Sequence, residues 1–241
     1  MKIIADTHTH TSACSHGYST LWENIQHARK IGLKFLAYTE HGPSLEGSPN
    51  DMYFRNFSMV PDCVDDIVIL KGAEVNILDF DGALDLSDKI LAKLDWVIAS
   101  FHTMCIEPGT REDHTRAWLS IARNPLVDVI GHCGDERYCF DHEVVIKEFA
   151  QYNKIVEVNA HSFDCRPGSE TNCPAIMDLC QKYNVPVVVS SDAHFFTHIG
   201  EFDKALEVLK SIDFPQELVL NADYNRFLEV ARRITGKKLV D

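Results

Sequence analysis

The chain has 241 residues, 45% apolar and 24% charged, enough to build a globular core without disulfide staples. Its formal net charge of −13, with neutral histidines, argues against a surface for long nucleic acids, which recruit Lys and Arg. No apolar run reaches the ~18–20 residues of a membrane span, and none of the eight cysteines forms a C-x-x-C pair, which excludes a zinc knuckle of that type. Residues 1–6 turn polar too soon for a signal peptide, so the cysteines read as reduced thiols of a cytoplasmic protein. An anionic substrate would need a local positive centre against this acidic background, and bound cations would supply one.

Residues 2–6 are the first strand-like run. Thr20 suits the N-cap of a helix through Ile31, with Glu23 at the capping-box position and Gly32 behind it. A second strand is expected at 34–39 (KFLAYT). The stretch 42–61, rich in Gly, Ser, Pro and Asn, reads as a long loop over the strand ends. Strands follow at 67–73 (IVILKGA) and 95–100 (DWVIAS), then a helix at 113–123. The fifth strand, 127–131 (VDVIG), precedes a helix at 141–152. The sixth, 154–159 (KIVEVN), precedes one at 171–183, and the seventh, 185–190 (VPVVVS), precedes helices at 201–211 and 224–235. Most runs are continuously apolar, as parallel strands covered on both faces are. With no internal repeat or linker, the pattern predicts one α/β domain over 1–241. A closed parallel barrel, one strand short of the usual eight, is the expected fold, with an open doubly wound sheet as the alternative.

Position gives the twelve histidines their meaning. The first run leads into Asp6-Thr7-His8-Thr9-His10, the second into Glu40-His41, the third into Glu74 and the fourth into His102. The fifth leads into His132 and the seventh into Asp192-Ala193-His194. His8 and His10 are two apart and share a side of a strand; Asp192 and His194 repeat that spacing, and His16 follows in the first loop. In a parallel barrel the C-terminal strand ends share one face, so these residues are expected to meet in one bowl. Imidazole and carboxylate donors suit zinc, manganese or iron. Singly, a His-x-His or a strand-end histidine is as readily a hydrogen-bonded core residue; their concurrence at one end of six strands makes the case. His27, His114 and His142 fall in or at the start of helices and are expected at the surface. His198 is expected at the surface or behind the site, and His161 is a candidate for touching substrate. Asp79, Asp81 and Asp85 lack the full spacing of a calcium loop and read as solvated.

Together these elements resemble the PHP (polymerase and histidinol phosphatase) superfamily. The matching motifs are D-T-H-T-H with His16 after it, T-E-H at 39–41, G-A-E at 72–74, S-F-H at 100–102, G-H at 131–132 and S-D-A-H at 191–194. RPGSETNC at 166–173 and G-E-F at 200–202 resemble the small stand-alone bacterial phosphatases of the YcdX type. The resemblance implies a distorted seven-stranded (β/α)7 TIM-like barrel holding about three divalent cations, usually zinc, with manganese or iron as alternatives. It implies one ion on His8, His10, Glu74 and Asp192, a second on Glu74, His102 and His132, and a third on His16, His41 and His194.

The expected activity is phosphoester hydrolysis on small phosphorylated metabolites. The nucleophile expected is a metal-bridging hydroxide held by His8, His10, Glu74, His102, His132 and Asp192. Arg166, and less directly Arg137, follow strand ends and are candidates to clamp phosphate. Asp6 is a candidate to orient a ligand histidine from behind, whereas Glu40 should point away from the side that His41 faces. Three alternatives compete. An amidohydrolase-type barrel is disfavoured because no lysine stands where Glu74 does. A phosphodiesterase or exonuclease-like hydrolase is disfavoured for long nucleic acids by the charge. A non-catalytic metal-binding or regulatory domain is disfavoured by the completeness of the ligand set. No membrane partner is expected, and the acidic surface neither requires nor forbids a homo-oligomer.

Overall fold

The computed structural model describes residues 1–239. Its strands are β1 (Ala5–Asp6), β2 (Phe35–His41), β3 (Cys63–Val64), β4 (Ile67–Asn76), β5 (Trp96–Ser100), β6 (Val129–Ile130), β7 (Ile155–Asn159) and β8 (Val187–Ser190). Neighbours along β1-β2-β4-β5-β6-β7-β8 are all parallel, which gives the seven expected strands. The unforeseen β3 is a two-residue antiparallel pairing on the start of β4. β1 and β6 are shorter than expected, while β2 and β4 run on to His41 and Asn76 and so carry their polar ends into the ladder.

α1 (Leu21–Lys30) starts on the predicted box, with Thr20 Oγ1 accepting from Glu23 N and the Glu23 carboxylate accepting from Thr20 N. α2 (Asp51–Arg55) corrects the reading of 42–61 as plain loop. Asn50 caps it by accepting from Met52 N, and Phe54 is buried beneath it, so the polar residues there include a helix cap. α3 (Asp88–Leu91) is a single turn. α4 (Arg111–Arg123) starts two residues before the expected Asp113, because Thr110 and Asp113 form a second capping box. α5 (His142–Gln151), the short α6 (Ser162–Cys165), α7 (Ser169–Tyr183), α8 (Asp203–Ser211) and α9 (Tyr224–Thr235) complete the chain. His114 was expected at the surface but is 2% exposed. Its Nε2 accepts from Gly109 N and its Nδ1 donates to Cys139 O, so α4 uses it to tie two loops together. His27 and His142 are half-buried rather than free on the surface.

Strand residues divide by parity between two cores. Leu36, Tyr38, Ile69, Val75, Val97, Val156 and Val189 pack outward with helix residues such as Ile25, Trp118, Phe149 and Leu209. Phe35, Ala37, Val68, Leu70, Trp96, Ile98, Val129, Ile155 and Val188 form a separate inner cluster with Phe227, Val230 and Ala231 of α9. The Phe227 ring meets Phe35 at 4.9 Å and Trp96 at 5.8 Å, and both lie at strand starts. α9 therefore plugs the N-terminal mouth of the barrel. Further along the same inward rows the residues turn polar, which leaves the C-terminal mouth for chemistry.

The barrel is distorted at the seam between β8 and β1, which share no ladder. They meet through a single bridge, Thr9 to Ala193, and through the fully buried Asn221. The Asn221 amide accepts from Val189 N and donates to both Ala5 O and Val189 O, standing in for missing strand-to-strand bonds. Asn221→Ala leaves these backbone groups buried and unpaired. The expected loss is about 2–4 kcal/mol in a urea unfolding experiment.

Candidate metal centre and active site

At the C-terminal mouth the strand ends bring His8, His10, His41, Glu74, His102, His132, Asp192 and His194 together, and the loop after β1 adds His16. Glu74 lies at the centre and is fully buried on β4. Five imidazoles surround it: His132 Nε2 at 2.7 Å and His102 Nε2 at 3.3 Å from Oε1, and His41 Nδ1 at 2.7 Å, His8 Nε2 at 3.3 Å and His10 Nε2 at 3.6 Å from Oε2. Asp192 Oδ1 lies 3.5 Å from His8 Nε2 and 3.2 Å from His10 Nε2, and those two nitrogens are 3.1 Å apart. Around the mouth, His16 Nε2 stands 3.1 Å from His41 Nε2, and His194 completes that trio.

His132 Nε2 meets Glu74 Oε1 at hydrogen-bond distance, whereas the separations among His8, His10, Glu74 and Asp192 also match coordination. A tetrahedron with ion–ligand bonds of ~2.0–2.1 Å has edges of roughly 3.3–3.4 Å, close to the spacing among His8, His10, Glu74 and Asp192. Two imidazole nitrogens at 3.1 Å either share one proton as an N–H···N bond or, with both lone pairs turned inward, flank a cation. Several donor atoms are buried without a hydrogen-bond partner, among them Glu74 Oε2, Asp192 Oδ1, His102 Nε2 and His194 Nε2. His41 Nδ1, although close to Glu74 Oε2, lacks the alignment of a hydrogen bond. Buried polar atoms left in this state are costly, and cations at the mouth would satisfy them. The donor set therefore fits divalent metal.

In three of the rings the opposite nitrogen is hydrogen-bonded. His8 Nδ1 donates to Glu157 Oε1 at 2.6 Å, His102 Nδ1 to Asn76 Oδ1 at 2.7 Å, and His194 Nδ1 to Asp192 O at 3.0 Å. Holding the proton on Nδ1 presents Nε2 as the ligand atom in each ring. Asp192 Oδ2 accepts from Asn159 Nδ2 and Arg166 Nη2, both at 3.1 Å, which leaves Oδ1 for the site. His132 and Asp192 occupy left-handed backbone, with φ of 25° and 57°. Such strain at non-glycine residues concentrates at functional sites. It is held in place here by Glu157 Oε2, which accepts from His132 N, and by His8 O, which accepts from Asp192 N.

Electrostatics follow from this crowding. Burial would lower His8, but Glu157, Asp192 and Glu74 outweigh it and raise its pKa well above the usual value. His10 is pushed well below its usual value, first by burial and then by His41 and His194. Burial would raise Glu74, yet His8, His102 and His41 hold it well below the usual carboxylate range.

Sequence reasoning missed Glu157, whose only signal was an acid inside the apolar run KIVEVN. It also underrated two neighbours. Asp85, read as solvated, accepts from Asn76 N and Nδ2 and so fixes the amide that orients His102. Glu40, on the far side of β2 as expected, is fully buried and grips Thr11. Cys14, left out of the donor set, is buried with its sulfur near His10 and His194. Asp6 reaches the backbone of His8 and none of the ligand imidazoles. Its oxygens accept from Ser191 N and Gly200 N, which fixes the backbone leading into Asp192. Arg166, Arg137 and His161 all line the cavity over the cluster, about 820 Å³ in volume; Arg137 is chelated by Asp135 and Arg166 is bound to Asp192.

A parallel α/β barrel with a histidine-and-carboxylate cluster at its C-terminal mouth belongs to the class of metal-binding barrels. Comparison narrows this: the family model described as PHP domain matches residues 6–238, and the chain belongs to the PHP domain family. A relative from Clostridium botulinum, named "Probable phosphatase", is 44% identical over 229 residues, covering 95% of this chain and 94% of the relative. One of the same name from Caldicellulosiruptor saccharolyticus is 42% identical, covering 99% and 100%. Among solved structures, a histidinol phosphate phosphatase from Lactococcus lactis, complexed with zinc, L-histidinol and phosphate, superposes with a TM-score of 0.64 at 19% identity. That match covers 88% of this chain and 94% of the other. A structure described as a "probable 2-pyrone-4,6-dicarboxylic acid hydrolase" from Acinetobacter baumannii gives 0.54 at 14% identity, covering 98% of this chain and 100% of the other. At these identities the two structures establish a shared fold.

Proposed function

We propose that the chain is a phosphatase for small phosphomonoesters whose residues hold three divalent cations, zinc foremost, with manganese or iron suited to the same donors. The metal-dependent phosphatase reading is supported by the family and by relatives of nearly full length that carry the phosphatase name. The observation that carries it to this chain is the set of buried donor atoms around Glu74 that lack partners yet stand at coordination spacing. In the proposed partition His8, His10, Glu74 and Asp192 hold one ion, Glu74, His102 and His132 a second, and His16, His41 and His194 a third. Bound there, divalent cations would lower the pKa of a coordinated water and neutralise charge on phosphoryl oxygens.

The remaining work falls to side chains. Arg166 is 11% exposed, and two of its contacts go to Asp192 Oδ2 and Ser162 Oγ. Its unused N–H groups at the cavity wall are suited to a phosphoryl oxygen. Burial disfavours its charge, but Asp192 more than offsets this and its pKa is raised, so it stays cationic. The cavity is far larger than a phosphoryl group and of the size that takes a whole small metabolite. Arg137 and His161, on its wall, would face the leaving group. No helix among the described residues is long and apolar enough to cross a membrane, and all eight cysteines are free, in keeping with a reducing compartment such as the cytoplasm.

The test is hydrolysis of p-nitrophenyl phosphate by protein as purified, after chelation verified by elemental analysis, and after each metal is restored. Activity should vanish and return. Turnover that persists in verified metal-free protein would sink the proposal. The same samples should differ in Tm, because ligands that bind only the folded state stabilise it by RT ln(1 + [L]/Kd). At a free ion concentration a thousandfold above Kd this is about 4 kcal/mol, or roughly 8–16 °C for a chain of this size.

A further inference from the structure

His16 is the one member of the cluster that no strand end positions; it sits on the solvent-facing loop between β1 and α1. That loop is nevertheless tied down on three sides. Ser15 N donates to Gly47 O at 2.9 Å, and Tyr18 N donates to His194 O at 2.8 Å. Gly47 has φ +81° and an added Cβ would lie 2.0 Å from Ser15 Oγ, so only glycine lets the two loops meet this closely. The third tie is Glu40. Its Oε1 accepts from Thr11 N at 2.9 Å and Thr11 Oγ1 at 2.5 Å, while Oε2 is buried with no partner. From Thr11 the chain turns tightly, with Cys14 N donating to Thr11 O and Gly17 N to Cys14 O, and His16 lies inside this turn.

A fully buried carboxylate whose second oxygen is unused is a poor way to stabilise a fold, because apolar residues of similar volume pack there at no desolvation cost. Glu40 is adjacent in sequence to His41 but faces the other side of β2, away from the cations. What it does reach is the base of the turn that carries His16, whose Nε2 then stands 3.1 Å from His41 Nε2.

We propose that Glu40 is a positioning residue for the outermost cation site: by fixing Thr11 it sets the height of the His16 turn against His41 and His194. The inference rests on the three-cation reading above. It assigns Glu40 no contact with substrate or metal, and it needs only the accepting oxygen, Oε1. Glutamine keeps that oxygen and alanine does not.

The experiment counts zinc ions per chain by elemental analysis after equilibration at limiting free zinc, with circular dichroism on every sample. Wild type should hold three, Glu40→Ala two, Glu40→Gln three and His16→Ala two, and Glu40→Ala combined with His16→Ala should lose no more than either alone. Thr11→Val, which removes the hydroxyl's bonds to Glu40 Oε1 and from Ala13 N but keeps Thr11 N on Glu40, guards against a misfolded Glu40→Ala. It should keep its fold and weaken the third ion about tenfold, the value of one strong hydrogen bond. Glu40→Ala with three ions, Glu40→Gln with two, or Thr11→Val with wild-type affinity for the third ion would overturn the proposal. Wild type holding two or fewer overturns the three-cation reading and this inference with it, whereas three in both wild type and Glu40→Ala overturns the positioning role alone.

Discussion

Glu74→Ala is expected to leave a folded protein that has lost at least two of the proposed ions and about a thousandfold or more of its turnover. Among the described residues Glu74 is the one carboxylate within 3.6 Å of nitrogens on five histidines, which follow β1, β5 and β6 or end β2. Its two oxygens face different subsets, His102 and His132 on one side and His8, His10 and His41 on the other. Removing it therefore takes a ligand from two of the proposed ions at once and leaves five imidazoles, four of them buried, without their central carboxylate. Without its negative charge, nothing on these rings offsets the charge of a bound divalent cation. Loss of one electrostatic contact in an active site typically costs a hundred- to a thousandfold, and here two ions are lost as well. Glu74→Asp keeps the charge but draws it back by one methylene, and should retain a partial ion content. Metal analysis and p-nitrophenyl phosphate turnover read both effects. Wild-type ion content in Glu74→Ala would refute the bridging assignment.

Glu157→Ala is expected to weaken metal binding ten- to a hundredfold and to lower turnover with it, although Glu157 is no part of the proposed ligand set. Its carboxylate accepts from three groups: His8 Nδ1 and Ser190 Oγ on Oε1, and His132 N on Oε2. The first fixes the tautomer and aim of one ligand. The last holds another in a backbone conformation that costs ~1–3 kcal/mol when unsupported. All three neighbours are donors, so only a group with two accepting oxygens satisfies them. Glutamine would set its own N–H groups against a donor, and Glu157→Gln should be nearly as damaging as alanine. This contrasts with Glu40, where one oxygen suffices and glutamine should restore function. Burial opposes ionisation of Glu157, but His8 outweighs it and lowers its pKa, so the carboxylate is charged near neutrality. Isothermal titration of zinc into the chelated variants measures the affinity. An unchanged affinity in Glu157→Ala would show that His8 and His132 hold their places without it.

The elements most readable beforehand were those whose cause is local. The capping box at Thr20 and Glu23 depends on four consecutive residues and formed as expected. The apolar strand runs placed seven parallel strands, because a strand covered on both faces leaves few polar residues to mislead. Loops were less legible. The 42–61 stretch contains α2, and His114, read as a surface residue, is buried because its hydrogen-bond partners, Gly109 and Cys139, come from loops on either side of α4.

The sequence by itself determined which residue types stand at the strand ends, and so which donor atoms the barrel would gather. That follows because parallel strands expose their C-terminal ends on one face whatever the loops do. Only the tertiary structure decided what stands behind those donors: Glu157 under His8 and His132, Asn76 and Asp85 behind His102, Arg166 and Asn159 on Asp192. These partners lie 25 to 149 positions from the groups they orient, apart from the Asn76–Asp85 pair. Nothing in a strand's own periodicity names the residue that a neighbouring strand will place opposite it. Register and seam geometry set those pairings, the ladders holding the first and Asn221 the second.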